Sequence, residues 1–439
     1  MTADSAGLDS HPTLRGQASS SWIQHTVELW RRRLIRRSLT VIHRWTALLL
    51  GLVLLAVTTS GAILLWQPDY FRASHHALYQ HTNSPQPITA GQALQVVRAA
   101  HPEFAAATVV ADHGIYEVTD ANLNALYGVD PGSGRITGLA HLNGGVMGWL
   151  ANLHRCALSC EGYPGYLPVL AKPIPTFGIS WLTSITYGTF LLGVSGLLLL
   201  LLALSGFVLW WPGVKSFVAG FRVRLRKGSY TRNRELHKVV GMAAVPFLLV
   251  WGLTGAAFTF PVVEKVWLAV TAGDSSNTEA TRFAFASNPV AAGTVPSIGV
   301  DAASAAALAA VPGRVAYIGL PDAADPATAY LFRIARPSTD PYHYSLYAGD
   351  SFVYVDQYSA SHIKVVWNGH GTKASNTFYT QVISPTHNGW NVNGAWRVVW
   401  LIFGLVPLLL AVTGVSTWLS RRRNRRRASN RVTGAEAVG

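Results

Sequence analysis

Two histidines of this chain begin apolar stretches that share one internal spacing. Each is followed, seventeen and eighteen positions later, by a hydroxyl residue and a glycine: His43 by Ser60 and Gly61, and His237 by Thr254 and Gly255. Because an α-helix rises about 1.5 Å per residue, the interval covers roughly 27 Å, close to the thickness of a bilayer's hydrocarbon core. Each histidine is therefore expected at one face of a membrane. Imidazole is a common axial ligand of haem iron, so the pattern predicts a membrane haem protein.

The composition places the chain in the membrane class. Half of its 439 residues are hydrophobic and only 13% are charged, about half the charged fraction of an ordinary soluble domain. The apolar residues cluster in four stretches long enough to span a bilayer, which begin near residues 39, 179, 239 and 395. The first stretch is too long for a signal peptide, and no small-residue cleavage site follows it. We expect it to remain as a transmembrane helix.

The distribution of cations predicts the orientation. Basic runs precede span one, separate spans two and three, and follow span four. By the positive-inside rule, both termini and the middle loop are expected in the cytoplasm, and the protein in the bacterial inner membrane. Because the net charge of +14 is divided among these membrane-flanking runs, nucleic acid is not an expected partner. The predicted segments are a basic N-terminus (1–38), span one (39–66), a first periplasmic domain (67–178), span two (179–211), a basic loop (212–236), span three (237–260), a second periplasmic domain (261–388), span four (389–418) and a basic tail (419–439).

The even-numbered spans also resemble each other. Each ends in a hydroxyl residue, a glycine and, four positions after the glycine, a tryptophan: Ser205, Gly206 and Trp210 in span two, and Thr413, Gly414 and Trp418 in span four. The chain therefore reads as two copies of helix, external domain and helix, arranged as a parallel repeat. Two interpretations of the small residues remain open. They allow close helix packing, or they leave room for a flat macrocycle between helices.

A second histidine pair is expected at the opposite membrane face. The repeat would bring His43 and His237 together on the cytoplasmic side, and His154 and His387 precede spans two and four. The interval from His154 to Gly206 is 25 residues longer than that from His387 to Gly414. The excess lies in a segment rich in Cys, Pro and Gly, which could form a loop and leave His154 at the membrane.

Several motifs together resemble the PepSY-associated transmembrane family. They are HRWTALLLG in span one, LHR before span two, SGFVLWWP at its end, RELHKVVG opening span three, and the H-x-G, TG and Trp of span four. The resemblance covers residues 42–418, and the family includes iron-regulated inner-membrane proteins and ferric-siderophore reductases. For the reductases it implies two b-type haems, bound between helices by paired histidines, and periplasmic PepSY domains. Carried over by position, the implied haem ligands are His43, His154, His237 and His387.

The two external segments each show a helix followed by alternating, strand-like stretches. In the first, the helical pattern begins at Ile88, and strands are expected near residues 115–118 and 125–129. In the second, a helix is expected at 302–310 and strands at 330–334 and 352–357. The overall fold class is therefore membrane α+β: four transmembrane helices and two small α+β domains. Asp130 and Asp356 lie in paired turn motifs and are interpreted as turn formers.

Two further features were weighed as candidate sites. Cys156 and Cys160 lie on the expected oxidising side, which favours a disulfide that closes a short loop. Thioether attachment of haem is not expected, because the chain has no C-x-x-C-H motif. His370, in a predicted external loop, is a spare ligand candidate should His387 not serve.

The leading functional hypothesis is a di-haem electron conduit that reduces a ferric siderophore or another ferric chelate on the periplasmic side. No nucleotide-binding fingerprint is visible, so electrons are expected from a separate cytoplasmic reductant or a membrane quinol. Two alternatives stay open. One is a non-catalytic membrane protein whose external domains bind or regulate a periplasmic partner, and the other is a haem oxidoreductase with an acceptor other than iron.

Overall fold

The computed structural model describes residues 15–122, 124–224, 226–288, 295–335, 351–367, 373–389 and 394–436. In chain order the α-helices are α1 (Arg15–Leu64), α2 (Gln67–Ser74), α3 (Ala90–Ala100), α4 (Gly145–Cys156), α5 (Pro168–Ala171), α6 (Tyr187–Trp210), α7 (Ser229–Ala257), α8 (Pro261–Val270), α9 (Glu279–Arg282), α10 (Val300–Ala310), α11 (Ala374–Phe378), α12 (Ser384–Asn388) and α13 (Gly394–Glu436). The strands are β1 (Ala106–Asp112), β2 (Ile115–Asp120), β3 (Leu126–Asp130), β4 (Arg135–Ala140), β5 (Arg314–Gly319), β6 (Ala329–Ala335), β7 (Ser351–Asp356) and β8 (Ile363–Trp367).

Four helices in the described residues are long and apolar enough to cross a membrane. They comprise Leu34–Leu64 of α1, all of α6 and α7, and Trp396–Arg427 of α13. The chain is therefore a membrane protein, as the sequence predicted. Span two begins at Tyr187 rather than at residue 179, because Thr186 caps α6: its side chain accepts from the backbone of Thr189, whose side chain accepts in return from the backbone of Thr186.

The four spanning helices pack in a ring. α1 contacts α6 and α13, and α7 contacts the same two helices, so α1 and α7 lie diagonally opposite each other. Apolar side chains from all four helices meet between the ends of the bundle, among them Leu54, Leu199, Leu248 and Val406. Any group on the inner face of α1 therefore lies opposite α7. This arrangement brings the two odd-numbered spans of the predicted repeat into one central space.

The segments between spans one and two and between spans three and four form a single antiparallel sheet. Its strand order is β4-β3-β2-β1-β5-β6-β7-β8, so each segment contributes four consecutive strands. The two halves join where β1 pairs with β5, with Val109 opposite Ile318. Because chain order runs outward from this junction in both directions, the halves have matching strand arrangements.

One hydrophobic core serves both halves of the sheet. It combines Leu94 and Val97 of α3 and Ala303 and Ala307 of α10 with side chains from both sets of strands. The carboxylate of Asp301 at the start of α10 also accepts hydrogen bonds from the hydroxyl of Thr89 and the backbone NH of Gly91. The sequence predicted two separate external domains, whereas the described strands share one sheet and one core. Joining β1 to β5 removes two exposed strand edges, which would otherwise be free to pair with other chains.

The connectivity gives the bundle two distinct ends. Spans one and three end, and spans two and four begin, at the end that carries the sheet; we call this the sheet side. The opposite end carries the start of span one, the end of span four and the loop between α6 and α7, and we call it the terminal side. At the sheet side, α4 packs against α1 and α6, and α12 packs against α7. These two short helices bring further side chains to the mouth of the bundle.

Candidate functional site: two pairs of facing histidines

His43 and His237 face each other at the terminal side. His43 lies on α1 and His237 on α7, the two diagonal helices, and their ring centres are 6.4 Å apart with the planes at 86°. The two rings therefore meet in the central space of the bundle. This is the juxtaposition expected from their equivalent positions in the two repeats.

His154 and His387 form a corresponding pair at the sheet side. His154 lies in the last turn of α4 and His387 in α12, and their ring centres are 6.1 Å apart with an interplanar angle of 40°. Each ring contacts a spanning helix: His154 hydrogen bonds the carbonyl of Val57 on α1, and His387 hydrogen bonds the hydroxyl of Thr254 on α7. The structure thus brings all four predicted residues into two pairs.

The additional residues before span two do not displace His154. Cys156 and Cys160 form a disulfide directly after α4, and the following segment returns to α6 through hydrogen bonds that include Ile174 to Ile185. The excess length lies after the ring of His154 and not between it and α1. The segment therefore forms a loop beside the bundle.

The four hydroxyl–glycine pairs noted in the sequence are contact sites for these imidazoles. An added methyl group at the glycine would lie within 4 Å of a histidine ring in every case: Gly61 beside His154, Gly206 beside His43, Gly255 beside His387 and Gly414 beside His237. The sequence left two interpretations of these small residues open, close helix packing and room for a macrocycle, and neither described this role. The glycines leave room for imidazole rings that approach from another helix.

Each imidazole forms a hydrogen bond with a spanning helix through its Nδ1 atom. His43 Nδ1 lies 2.9 Å from Ser205 Oγ, and His387 Nδ1 lies 2.7 Å from Thr254 Oγ1. His237 Nδ1 lies 3.1 Å from both Thr413 Oγ1 and the carbonyl of Leu410, and His154 Nδ1 lies 2.8 Å from the carbonyl of Val57. Metal-binding histidines typically bind the metal through one ring nitrogen and hydrogen bond a protein group through the other. In all four residues the nitrogen left for a metal is Nε2.

The spacing of both pairs fits two imidazoles on one iron. A metal–nitrogen bond is about 2 Å long and the ring centre lies about 1 Å behind the nitrogen, so opposed ligands have ring centres about 6 Å apart. The observed separations are 6.4 Å and 6.1 Å. His43, His237, His154 and His387 are therefore the residues that could hold two haems, one at each end of the bundle.

The two pairs are separated by most of a membrane thickness. The ring of His154 lies against Gly61, eighteen residues from His43 on the same helix, and that of His387 lies against Gly255, eighteen residues from His237. At about 1.5 Å per residue, both helices place the pairs roughly 27 Å apart. Such an arrangement can hold one redox centre near each face of a membrane.

Burial favours the neutral form of the sheet-side rings. Burial lowers the pKa of His154, against a smaller opposing effect of its hydrogen bond to Val57, and burial lowers the pKa of His387 to about 3. The physical cause is the loss of water around a charged imidazolium. Neutral imidazole is the form that binds metal ions.

A comparison with known protein families found one family model that matches most of the chain. The model of the PepSY-associated TM region matches residues 40–421, which include all four histidines and all four hydroxyl–glycine pairs. This chain belongs to the PepSY-associated TM family. A search of the curated proteins found no match.

Other residues of this PepSY-associated TM protein that the sequence singled out have structural roles or lie elsewhere. Asp130 accepts hydrogen bonds from the backbone of Thr82 and Gly132, and Asp356 from that of Asn288 and Tyr358, so both carboxylates stabilise turns. The spare candidate His370 lies outside the described residues. Within the described part of the chain, no cluster of three or more His, Cys, Asp or Glu side chains could hold a metal ion.

The hydroxyl residues that orient the imidazoles were not predicted in that role from the sequence. Ser205, Thr254 and Thr413 were recognised as part of a repeat but not as partners of the imidazoles. The signal was present, because a hydroxyl residue precedes a glycine near the end of each span. A hydroxyl residue that directly precedes a glycine can hydrogen bond an imidazole ring that packs against that glycine.

Proposed function

We propose that this protein carries electrons across the membrane through two b-type haems, each bound by one histidine pair. The observation that supports this most strongly is the presence of two facing imidazole pairs, with Nδ1 engaged by the bundle and ring spacings of 6.4 Å and 6.1 Å. A protein that only binds a partner through its sheet has no need for such pairs at both ends of the bundle. We therefore favour electron transfer over a purely scaffolding role.

The residues of the chain would divide the task as follows. The four imidazoles would bind the haem irons through Nε2, and their hydrogen-bond partners would hold the rings in position. The apolar side chains between the pairs, among them Leu54, Leu199 and Leu248, exclude water from the path. When bound, each haem supplies a one-electron redox centre whose potential depends on ligation and burial.

The direction of transfer follows from the expected orientation. Basic residues, including Arg36, Arg37 and Arg421, lie at the terminal-side ends of the spans, and under the positive-inside rule that side would face the cytoplasm. Electrons would enter there from a cytoplasmic reductant or from a membrane quinol. They would leave at the sheet side, which then faces the periplasm of a bacterial inner-membrane protein.

The proposed acceptor is a ferric siderophore or a similar ferric chelate. Each ferric ion accepts one electron and leaves as a ferrous ion, which oxygen-rich chelators bind less tightly, and the chelator is unchanged. The protein would thus be a ferric-chelate reductase. The sheet is joined to the spans at the sheet side and would offer a broad surface for a bulky complex.

Reoxidation kinetics test this proposal. The chemically reduced protein in detergent is mixed with a ferric siderophore, and the haem spectrum and the ferrous ion trapped by a chromogenic chelator are followed together. We expect His154→Ala and His387→Ala to slow reoxidation, whereas His76→Ala, which changes an exposed histidine in the sheet-side segment, leaves it unchanged. If quinone but no ferric chelate reoxidises the wild type, the acceptor is wrong and the conduit remains.

A further inference from the structure

Two of the four imidazoles hydrogen bond a backbone carbonyl within the described residues. His154 contacts the carbonyl of Val57, and His237 that of Leu410. In each case the carbonyl lies three residues before the hydroxyl residue of the corresponding hydroxyl–glycine pair. A carbonyl oxygen can only accept, so each of these rings carries its proton on Nδ1 and leaves Nε2 unprotonated.

His387 differs from these two rings. Among the described residues its Nδ1 atom has one hydrogen-bond partner, the hydroxyl of Thr254 at 2.7 Å. A hydroxyl can donate or accept, so this contact alone does not fix which ring nitrogen of His387 carries the proton. The tautomer depends on where the single hydroxyl proton of Thr254 goes.

The surroundings of Thr254 decide that question. Thr254 is fully buried, and its Oγ1 lies 2.6 Å from the carbonyl of Val250 one helical turn earlier. That carbonyl can only accept, so the hydroxyl proton is directed to it, and the oxygen is left to accept from the Nδ1–H of His387. The free lone pair of His387 then lies on Nε2, the nitrogen left for a metal.

We propose that Thr254 is a positioning residue that fixes the tautomer and orientation of His387, and that ligand geometry depends more on its hydroxyl than on those of Thr413 and Ser60. This inference rests on the proposed role of His387 as a haem ligand. Partners of metal-binding histidines typically contribute about 10- to 100-fold to metal affinity. Loss of the Thr254 hydroxyl would leave the Nδ1–H of a buried ring without an acceptor, and the ring would be free to rotate.

Two other hydroxyl positions, Thr413 and Ser60, provide matched controls. Thr413 has the same geometry relative to His237, but its loss leaves the carbonyl of Leu410 as a partner at 3.1 Å. Ser60 donates to the carbonyl of Val57, and that carbonyl also accepts from His154. Removing the Ser60 hydroxyl therefore leaves the partner of His154 in place. Among these three positions the structure predicts a graded response in which Thr254 matters most and Ser60 least.

The test compares Thr254→Val, which keeps the side-chain shape, with Thr413→Val, Ser60→Ala and the conservative variant Thr254→Ser. Haem per protein and the spin state of each haem, measured by electron paramagnetic resonance, are the readouts. We expect Thr254→Val to bind the sheet-side haem about 10- to 100-fold more weakly, or to convert it to a high-spin form. Thr254→Ser should restore the wild-type spectrum, and Thr413→Val and Ser60→Ala should retain two low-spin haems.

The outcomes separate this inference from the proposed function. A wild-type protein without haem would overturn the proposed function and this inference with it. A wild-type protein with two low-spin haems, together with a Thr254→Val variant that matches it in haem content and spin state, would overturn the role of Thr254 alone. An equally large loss in Thr413→Val would also overturn it, because the retained carbonyl would then offer no protection.

Discussion

Replacement of Gly61 by Ala should remove the haem of the sheet-side pair and spare that of the terminal-side pair. A methyl group at Gly61 would lie 2.3 Å from Cε1 of His154. At Gly255, the equivalent position in the other repeat, the same methyl group would lie 3.8 Å from Cε1 of His387. The first distance requires the ring to move, and the second is an ordinary contact. The same substitution should therefore remove a haem at Gly61 and leave both haems in place at Gly255.

The size of the displacement follows from these distances. Carbon atoms in contact are about 3.5 to 4.0 Å apart, so the methyl group at Gly61 must push the ring away by about 1.2 to 1.7 Å. That shift is more than half the length of a metal–nitrogen bond, which is about 2 Å. The ring cannot yield freely, because its Nδ1 atom is held by the carbonyl of Val57. The iron–nitrogen bond on this side should therefore be lost.

Pyridine haemochrome quantitation and optical spectra of the purified variants measure the effect. Gly61→Ala should bind close to one haem per chain instead of two, and Gly255→Ala should keep two. Alanine in a helix interior is favoured over glycine by about 1 kcal/mol, so neither variant should lose the helix itself. Two low-spin haems in Gly61→Ala, or equal losses in both variants, would refute the reasoning.

Three further predictions follow from the same structure. His43→Ala should remove the terminal-side haem while the sheet-side haem stays chemically reducible, as shown by the dithionite-reduced spectrum; loss of both would contradict independent sites. Replacing both Cys156 and Cys160 by Ser should retain both haems, because the disulfide lies beyond the ring of His154; loss of a haem would assign the loop a role in binding. Burial and, to a smaller extent, the charge of Asp112 raise the pKa of Glu117 to about 7. The protonated carboxyl therefore stabilises the folded protein fully below the ordinary glutamate pKa of 4.5, and this stabilisation is lost as the pH rises through 7. The thermal unfolding of Glu117→Gln, followed by circular dichroism, should therefore depend less on pH between about 5 and 8 than that of the wild type, and an unchanged dependence would show that Glu117 does not titrate in the folded sheet.

The histidine pairs were within reach of the sequence because helical rise is constant. Eighteen residues between His43 and Gly61 translate directly into a membrane thickness, and a repeat implies facing positions. The spacing does not show which histidine ring packs against each hydroxyl–glycine pair. The ring beside Gly61 comes from α4, and the ring beside Gly206 comes from α1. Only the packing of several helices shows which histidine enters which gap.

The sheet was less predictable, because its central contact joins distant parts of the chain. The predicted strands correspond to β2, β3, β6 and β7, which have strongly alternating or apolar sequences. β1 and β5, where the halves meet, were not predicted, and their pairing connects Val109 with Ile318 across more than two hundred residues. Local patterning carries no record of such a pairing. The start of α6 was misplaced for a related reason, since the apolar residues before Thr186 read as a continuation of the span.

The optical spectrum of the wild-type protein, purified from cells supplied with haem and combined with pyridine haemochrome quantitation, tests whether the four histidines hold two haems. We predict two b-type haems per chain, both low-spin and six-coordinate, because two imidazoles would bind each iron. A protein isolated without haem, or with a single five-coordinate haem, would show that the histidine pairs do not bind haem in this way.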